Sequence, residues 1–227
     1  GRRSARTGYA VEINSLWYNA VMFYRELAKL QCEDGEIAKW DEFAANFPTN
    51  FKATFWSKEI GYLADCVDGS NKDFSVRCNM IFAASLEYSP ISPKIRQLIV
   101  EKVRQELLTP KGLRTLSPTH KDYHETCFGN QEQRDRAYHN GTVWPWLIGA
   151  FAQAFLSVYG KEAVNYIEQI YEGFGNILWD YCVGSIAEVY DGNPPYKAGG
   201  SISQAWSVAE VCRMKYMIDK CKQIKDA

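Results

Sequence analysis

Tyr138-His139-Asn140-Gly141-Thr142-Val143-Trp144-Pro145-Trp146 sets three large aromatics, an imidazole, an amide and a forced turn just ahead of an apolar segment. Glycine accepts positive φ without steric cost, so Asn140-Gly141 reads as the turn. Thr142 is the expected N-cap and Pro145 falls in the first helical turn, where its missing N–H costs nothing. On this reading Tyr138, His139, Trp144 and Trp146 gather at a helix mouth rather than along a strand. Such a cluster suits a sugar, which offers C–H faces and a hydroxyl rim. It also suits a helix start whose tryptophans are simply core, and the stretch by itself leaves both readings open.

Downstream, Ala137 to Gly160 carries no Asp, Glu, Lys or Arg, long enough on paper to cross a bilayer. His139, Asn140, Pro145, Gln153 and Ser157 interrupt it, so a buried helix is expected and no membrane partner. Two helices, about 142–159 and 162–178, are expected to meet at Gly160. Upstream, Ile13, Leu16, Trp17, Ala20, Val21, Tyr24, Leu27 and Ala28 recur at helical steps over 11–31 and form one apolar face. A second helix carries Ile37, Trp40, Phe43, Ala44 and Phe47, breaks at Pro48 and resumes through Phe55. The pair reads as an antiparallel hairpin. Further helices are expected over 80–88, 94–108 and 201–220. Gly61–Val67 and Leu113–Leu116 read as short extended pieces, whereas Ser117–Asn140 and Gly184–Gly200 read as long loops, usually functional when they occur in compact domains.

The 227 residues suit one substantial core. A net charge of −1 disfavours nucleic acid, because phosphate binding needs a basic surface. Arg2, Arg3 and Arg6 form the one basic concentration and read as a solvated terminus. Seven scattered cysteines without a Cys-x-x-Cys pair point to reduced thiols and a cytoplasmic protein. His120, His124 and Cys127 superficially resemble a metal set, but Pro118 opposes the helix that would align them, so no metal is expected. No Gly-x-Ser-x-Gly elbow, phosphate-cradling loop or dinucleotide fingerprint is present, so no cofactor is implied. Carboxylate chemistry remains. Glu12, Glu125, Asp135, Glu188 and Asp191 are the candidates, and Glu188 stands out for its apolar neighbours in Ser185-Ile-Ala-Glu-Val-Tyr190. Partial desolvation there suits a general base; an ordinary surface glutamate is the competing reading.

Three blocks carry a resemblance: Ala10-Val-Glu-Ile-Asn-Ser-Leu-Trp-Tyr-Asn-Ala20, the opening stretch, and Gly200-Ser-Ile-Ser-Gln-Ala-Trp-Ser-Val-Ala209. Gly112–Pro118 and Ala187–Pro195 add to it. Together they resemble the amylo-α-1,6-glucosidase domain of glycogen debranching enzymes of the prokaryotic type. The resemblance implies an all-α fold, the C-terminal part of an (α/α)6 toroid of helical hairpins. The whole chain, 1–227, would be the C-terminal portion of that catalytic domain, and its few helices would leave the toroid incomplete. It implies removal of α-1,6-linked glucose from glycogen or limit-dextrin branch points with inversion, with a branched α-glucan as partner. Glu188 falls at the family's general base. The family's acid, an aspartate in a Trp-Met-Asp segment, has no counterpart here and is expected upstream of Gly1. Ala5 replaces a proline common in the family. Trp17, Trp144, Trp146 and Trp206 become candidates for sugar-facing rings, and Tyr138, Glu12, Asn14, His139 and Gln204 for polar contacts, with Arg77 and Asn79 weaker. A glucan-binding helical module without catalysis is the alternative, and the open helix faces of a partial toroid imply self-association. A terpenoid-cyclase-like barrel is disfavoured, since no Asp-Asp pair occurs.

Overall fold

The structure, a computed structural model, describes residues 6–223, so Arg2, Arg3 and Ala5 lie outside the described residues. Its helices are α1 (Val11–Leu30), α2 (Asp34–Ala38), α3 (Asp41–Phe55), α4 (Ile81–Ser85), α5 (Pro93–Glu106), α6 (Gln131–Ala137), α7 (Leu147–Tyr159), α8 (Val164–Ile177) and α9 (Ala205–Gln223). Their packing makes helical hairpins. α1 lies against α2 and α3, α4 against α1, α5 and α7, and α7 against α5, α8 and α9. α7 is apolar almost all round and eight of its 13 residues are buried, which accounts for the charge-free run: it is the central helix of the core. Among the described residues no helix is long and apolar enough to cross a membrane.

α1 uses its sequence differently from the expected stripe. The buried positions are Val11, Ser15, Tyr18, Val21 and Ala28, whereas Ile13, Leu16, Trp17, Tyr24 and Leu27 stay exposed. The helix is amphipathic, but among the described residues part of its apolar face has no cover.

α3 runs through Pro48 without a break, against expectation. An interior proline costs about 3 kcal/mol. Phe43, Phe47, Phe51 and Phe55 form a ladder along one face with centroids 4.9, 5.9 and 4.8 Å apart, and Tyr18 of α1 stacks on Phe47 at 5.0 Å. At roughly 0.5–1.5 kcal/mol per aromatic pair beyond burial, four such contacts offset the proline.

The two expected loops are more ordered than their sequences suggest. α6 lies inside the first, started by a capping box in which Asn130 and Gln133 bond each other's backbone N–H. β9 and β10 lie in the second, and the short strands of the chain are β1 (Tyr9–Ala10), β2 (Trp56–Ser57), β3 (Tyr62–Leu63), β4 (Cys66–Asp68), β5 (Asn71–Asp73), β6 (Leu108–Thr109), β7 (Gly112–Arg114), β8 (Val143–Trp144), β9 (Val189–Tyr190) and β10 (Ala198–Gly199). The last five form one antiparallel sheet in the order β10-β9-β8-β7-β6. Pieces of two or three residues are too short for a period-2 pattern to register, so the sheet is invisible to a hydrophobic-periodicity reading. All seven cysteines are free thiols.

Candidate active site

The opening stretch does not start a helix at Thr142. Val143–Trp144 is strand β8, and α7 begins only at Leu147. Thr142 is fully buried and its hydroxyl donates to the Ala137 carbonyl at 2.8 Å, closing the end of α6 instead of capping α7. Gly141 does take positive φ, +136°, and a side chain there would collide with the His124 carbonyl.

The strand is what builds the site. Val143 pairs with Tyr190 across β8 and β9, which brings Glu188, one residue before β9, beside the Tyr138–Trp146 stretch from about fifty positions away. The Tyr138 hydroxyl donates to Glu188 Oε1 at 2.5 Å, and the Ser201 N–H donates to Oε2 at 2.8 Å. Glu188 in turn donates its backbone N–H to the Ser201 carbonyl at 2.9 Å. The half-buried carboxylate is therefore held at both oxygens. Burial, and then the bond to Glu188, push the Tyr138 phenol above its ordinary value, so Tyr138 stays the donor at neutral pH. Gly200 completes the grip. Its φ is +69°, and a Cβ there would lie 2.3 Å from Glu188 Oε2.

Around this carboxylate the rings form a continuous cluster. Tyr138 meets Trp144 edge-on at 4.8 Å, His139 stacks on Trp144 at 5.6 Å, and Trp144 meets Trp206 at 5.9 Å. Trp206 stacks on Trp146 at 5.2 Å, and Trp146 leans on Phe82 at 5.9 Å. Trp144 is 5 % exposed and its indole N–H is spent on the Tyr138 carbonyl at 3.0 Å, while Trp206 is 46 % exposed. Trp144 thus serves as foundation, and Trp206 and His139 offer open surface. Desolvation in the stack, aided by the Arg77 charge, lowers the His139 pKa, although the residue as a whole is exposed. Shielding of one ring face by Trp144 reconciles the two. Gln204 lies half-buried at the entry to α9, its N–H on the Ile186 carbonyl at 2.9 Å.

A buried ionic chain ties this cluster to α1. Asp65, 1 % exposed, accepts from Arg6 Nε at 2.5 Å and from Asn79 at 2.8 Å, with Arg77 Nε 3.9 Å away. Arg6 also grips both oxygens of Glu12, at 2.5 and 2.7 Å. Arg77 reaches the other way, donating to the His139 carbonyl at 2.7 Å and to Asn140 Oδ1 at 2.8 Å. Arg6 is therefore a structural clamp rather than part of a solvated terminus, and Glu12, Asn79 and Arg77 are its neighbours in the frame. Arg6 and Asp65 lack any sequence signal; their pairing spans 59 positions and only the fold reveals it.

Three candidates stand apart from the cluster. The Asn14 amide bonds the Ala10 carbonyl of its own helix at 2.8 Å. Trp17 meets Trp40 at 5.9 Å and Phe43 at 6.5 Å, rings of the α1–α3 hairpin. Asp135 lies on α6 and accepts from Gln131 at 2.6 Å. Among the described residues the grouping with metal-ligand spacing is Asp65, Cys66 and Asp73. The Asp65 oxygens are already engaged there, and Asp73 Oδ1 accepts from the Ser75 N–H and hydroxyl.

Helical hairpins packed in series define part of a six-hairpin α/α toroid. Neutral trehalase from Saccharomyces cerevisiae has this fold, with a TM-score of 0.67 at 17 % identity over 93 % of this chain and 40 % of that one. Mannosylglycerate hydrolase from Thermus thermophilus gives a TM-score of 0.66 at 16 % identity over 92 % of this chain and 46 % of its own. At such identities the likeness shows the fold alone. The family follows from sequence: the model described as amylo-alpha-1,6-glucosidase matches residues 3–213, and the chain belongs to that family. A glycogen debranching enzyme from Saccharomyces cerevisiae is 25 % identical over 185 residues, 66 % of this chain and 12 % of the yeast protein. The chain therefore spans about an eighth of that curated relative.

Proposed function

We propose that this chain forms the base-bearing part of an inverting glucosidase that removes α-1,6-linked glucose from branch points of glycogen or limit dextrin. The observation that carries the reading is the Glu188 carboxylate, fixed at both oxygens by Tyr138 and Ser201 beside the ring cluster. In the reaction a water attacks the anomeric carbon from the face opposite the leaving group. Glu188 accepts that water's proton while a second carboxyl protonates the departing O6. Trp206 and His139 supply ring surface for the sugar's C–H face, and Gln204 is placed to bond a hydroxyl at its rim. The short Tyr138 bond orients the carboxylate.

The acid belongs to a different part of a longer protein. Arg6 occupies both oxygens of Glu12, so neither is free to hand a proton to a leaving group. An aspartate supplied from before Gly1, at about 6.5–9.5 Å from Glu188, leaves the room for water that inversion needs. On this reading residues 1–227 are the C-terminal portion of the catalytic domain, working in the cytoplasm. A binding module that holds α-glucan without turnover is the competing function. Glu188→Gln in the longer protein separates them. Turnover of a limit dextrin should fall at least ~100-fold, with KM and Tm close to the original. Near-normal turnover in that variant contradicts the assignment.

A further inference from the structure

Arg77 immediately precedes the short helical turn Cys78–Met80, and its side chain is 11 % exposed. The carboxylate on its inner side is the buried Asp65, with Arg77 Nε 3.9 Å from Oδ2. A guanidinium serving only as a counter-ion would turn its fork onto that carboxylate and make two parallel bonds. Arg77 does not. Among the described residues its buried Nε has no hydrogen-bond partner, an arrangement that costs stability. Both terminal nitrogens go to the neighbouring loop instead, one to the His139 carbonyl at 2.7 Å and the other to Asn140 Oδ1 at 2.8 Å. Asp65 is not left in need, because Arg6 and Asn79 already bond its two oxygens.

Asn140 makes the grip firm. It is buried, its amide donates to the Arg136 carbonyl at 2.7 Å, and its own carbonyl accepts the His124 N–H at 2.7 Å. His139 is the exposed residue between this anchor and Tyr138. Its imidazole meets Tyr138 at 4.9 Å and lies nearly parallel to Trp144 at 5.6 Å. Stacked rings tolerate a range of offsets, so the backbone decides where on Trp144 the imidazole rests. Arg77 holds that backbone at the His139 carbonyl.

We propose that Arg77 is a positioning residue that fixes the His139 ring as sugar-facing surface and so sets affinity for the glucosyl unit. The choice of sugar rests on the function proposed above; the coupling of Arg77 to His139 does not. Glu188 takes its bonds from Tyr138 and Ser201, so loosening His139 weakens binding and spares the proton transfer.

A double-mutant cycle in the longer protein, with limit dextrin as substrate, tests the coupling. Arg77→Lys keeps the charge beside Asp65 and removes the fork. Its KM should rise roughly tenfold, the worth of one ring contact, while kcat changes less than about twofold. His139→Ala, at an exposed position, should raise KM similarly, and Arg77→Lys should add nothing in that background. Additive effects, an unchanged KM, or a loss confined to kcat overturns the inference. Proton NMR of this chain gives a result that needs no turnover. The His139 ring protons, identified by their loss in His139→Ala, should lie upfield under the Trp144 ring current. Arg77→Lys should return them toward free-histidine positions with Tm little changed, and Arg77→Gln should do the same if the lysine variant folds poorly. Ring protons without an upfield shift in the original protein, or unmoved by these substitutions, overturn it. If the longer protein releases no glucose, the glucosidase function fails and the NMR result still decides the coupling of Arg77 to His139.

Discussion

The Tyr138 hydroxyl and the Glu188 carboxylate, fifty residues apart in sequence, share a 2.5 Å hydrogen bond with Tyr138 as donor. The bond exists because β8 pairs with β9. A hydrogen bond to a charged group contributes about 1.5–3 kcal/mol, enough to decide which way a carboxylate faces. Tyr138→Phe keeps the ring and its contact with Trp144 and deletes only the donor. In the longer protein its kcat should fall roughly 10- to 100-fold, the kinetic equivalent of that energy, with KM and Tm little changed. An equal loss of Tm and activity would make Tyr138 a packing residue instead.

Gly200 and Gly61 make a controlled pair. Both have positive φ, +69° and +78°, but a Cβ at Gly200 meets Glu188 Oε2 at 2.3 Å and one at Gly61 meets nothing within 4 Å. Alanine at either position should cost about 1–2 kcal/mol of stability from the left-handed backbone, read as similar downward shifts in the denaturant midpoint. Only Gly200→Ala should also lower turnover, by displacing the carboxylate. Matching activities in the two variants would remove Gly200 from the grip on Glu188.

His139 sets a pH dependence. Desolvation against Trp144, helped by Arg77, lowers its folded pKa below the ordinary 6.5. The unfolded chain therefore takes up this proton more readily than the folded one. The stability from a neutral His139 is fully present above about pH 6.5 and is lost as pH falls through the lowered folded value. Thermal midpoints measured between pH 7.5 and 5 should decline more steeply in the original protein than in His139→Gln (both pH limits are approximate choices around the ordinary value). Parallel declines would show that the imidazole titrates normally.

α1 exposes Ile13, Leu16, Trp17, Phe23, Leu27 and Leu30, and contiguous apolar faces of this kind rarely remain in water. Residues 1–227 taken alone should self-associate, with sedimentation coefficients that rise with concentration. Leu16→Glu with Leu27→Glu, both at exposed positions, should restore a monomer without lowering Tm. A monomer over a wide concentration range in the original sequence would mean that this face is adequately hydrated.

Helices with long periodic faces were legible in the sequence: α1, α5, α8 and α9 fall within a few residues of their expected spans, and α7 ends as expected but starts at Leu147 rather than Thr142. Pro48 misled because local propensity cannot register an aromatic ladder contributed by Tyr18 and four spaced phenylalanines. The sheet that assembles the site escaped notice, since Val143–Trp144 and Val189–Tyr190 are dipeptides whose pairing is a property of the tertiary fold. Glu188, Tyr138 and the tryptophans could be singled out from residue chemistry and family resemblance. Their mutual geometry could not, and neither could the Arg6–Asp65–Arg77 chain, which joins residues with no local pattern in common. Glu12 illustrates the difference: its position at a helix mouth suggested a sugar contact, while the fold gives both its oxygens to Arg6.

The anomer of the first glucose released tests the central assignment most directly. Proton NMR of the longer protein acting on a limit dextrin should show β-glucose appearing first and mutarotating later to the α form. That order is the signature of one displacement by a water whose proton passes to Glu188, and the signal should be lost in Glu188→Gln. Initial release of α-glucose, or β-glucose formed at an undiminished rate by Glu188→Gln, would contradict the account.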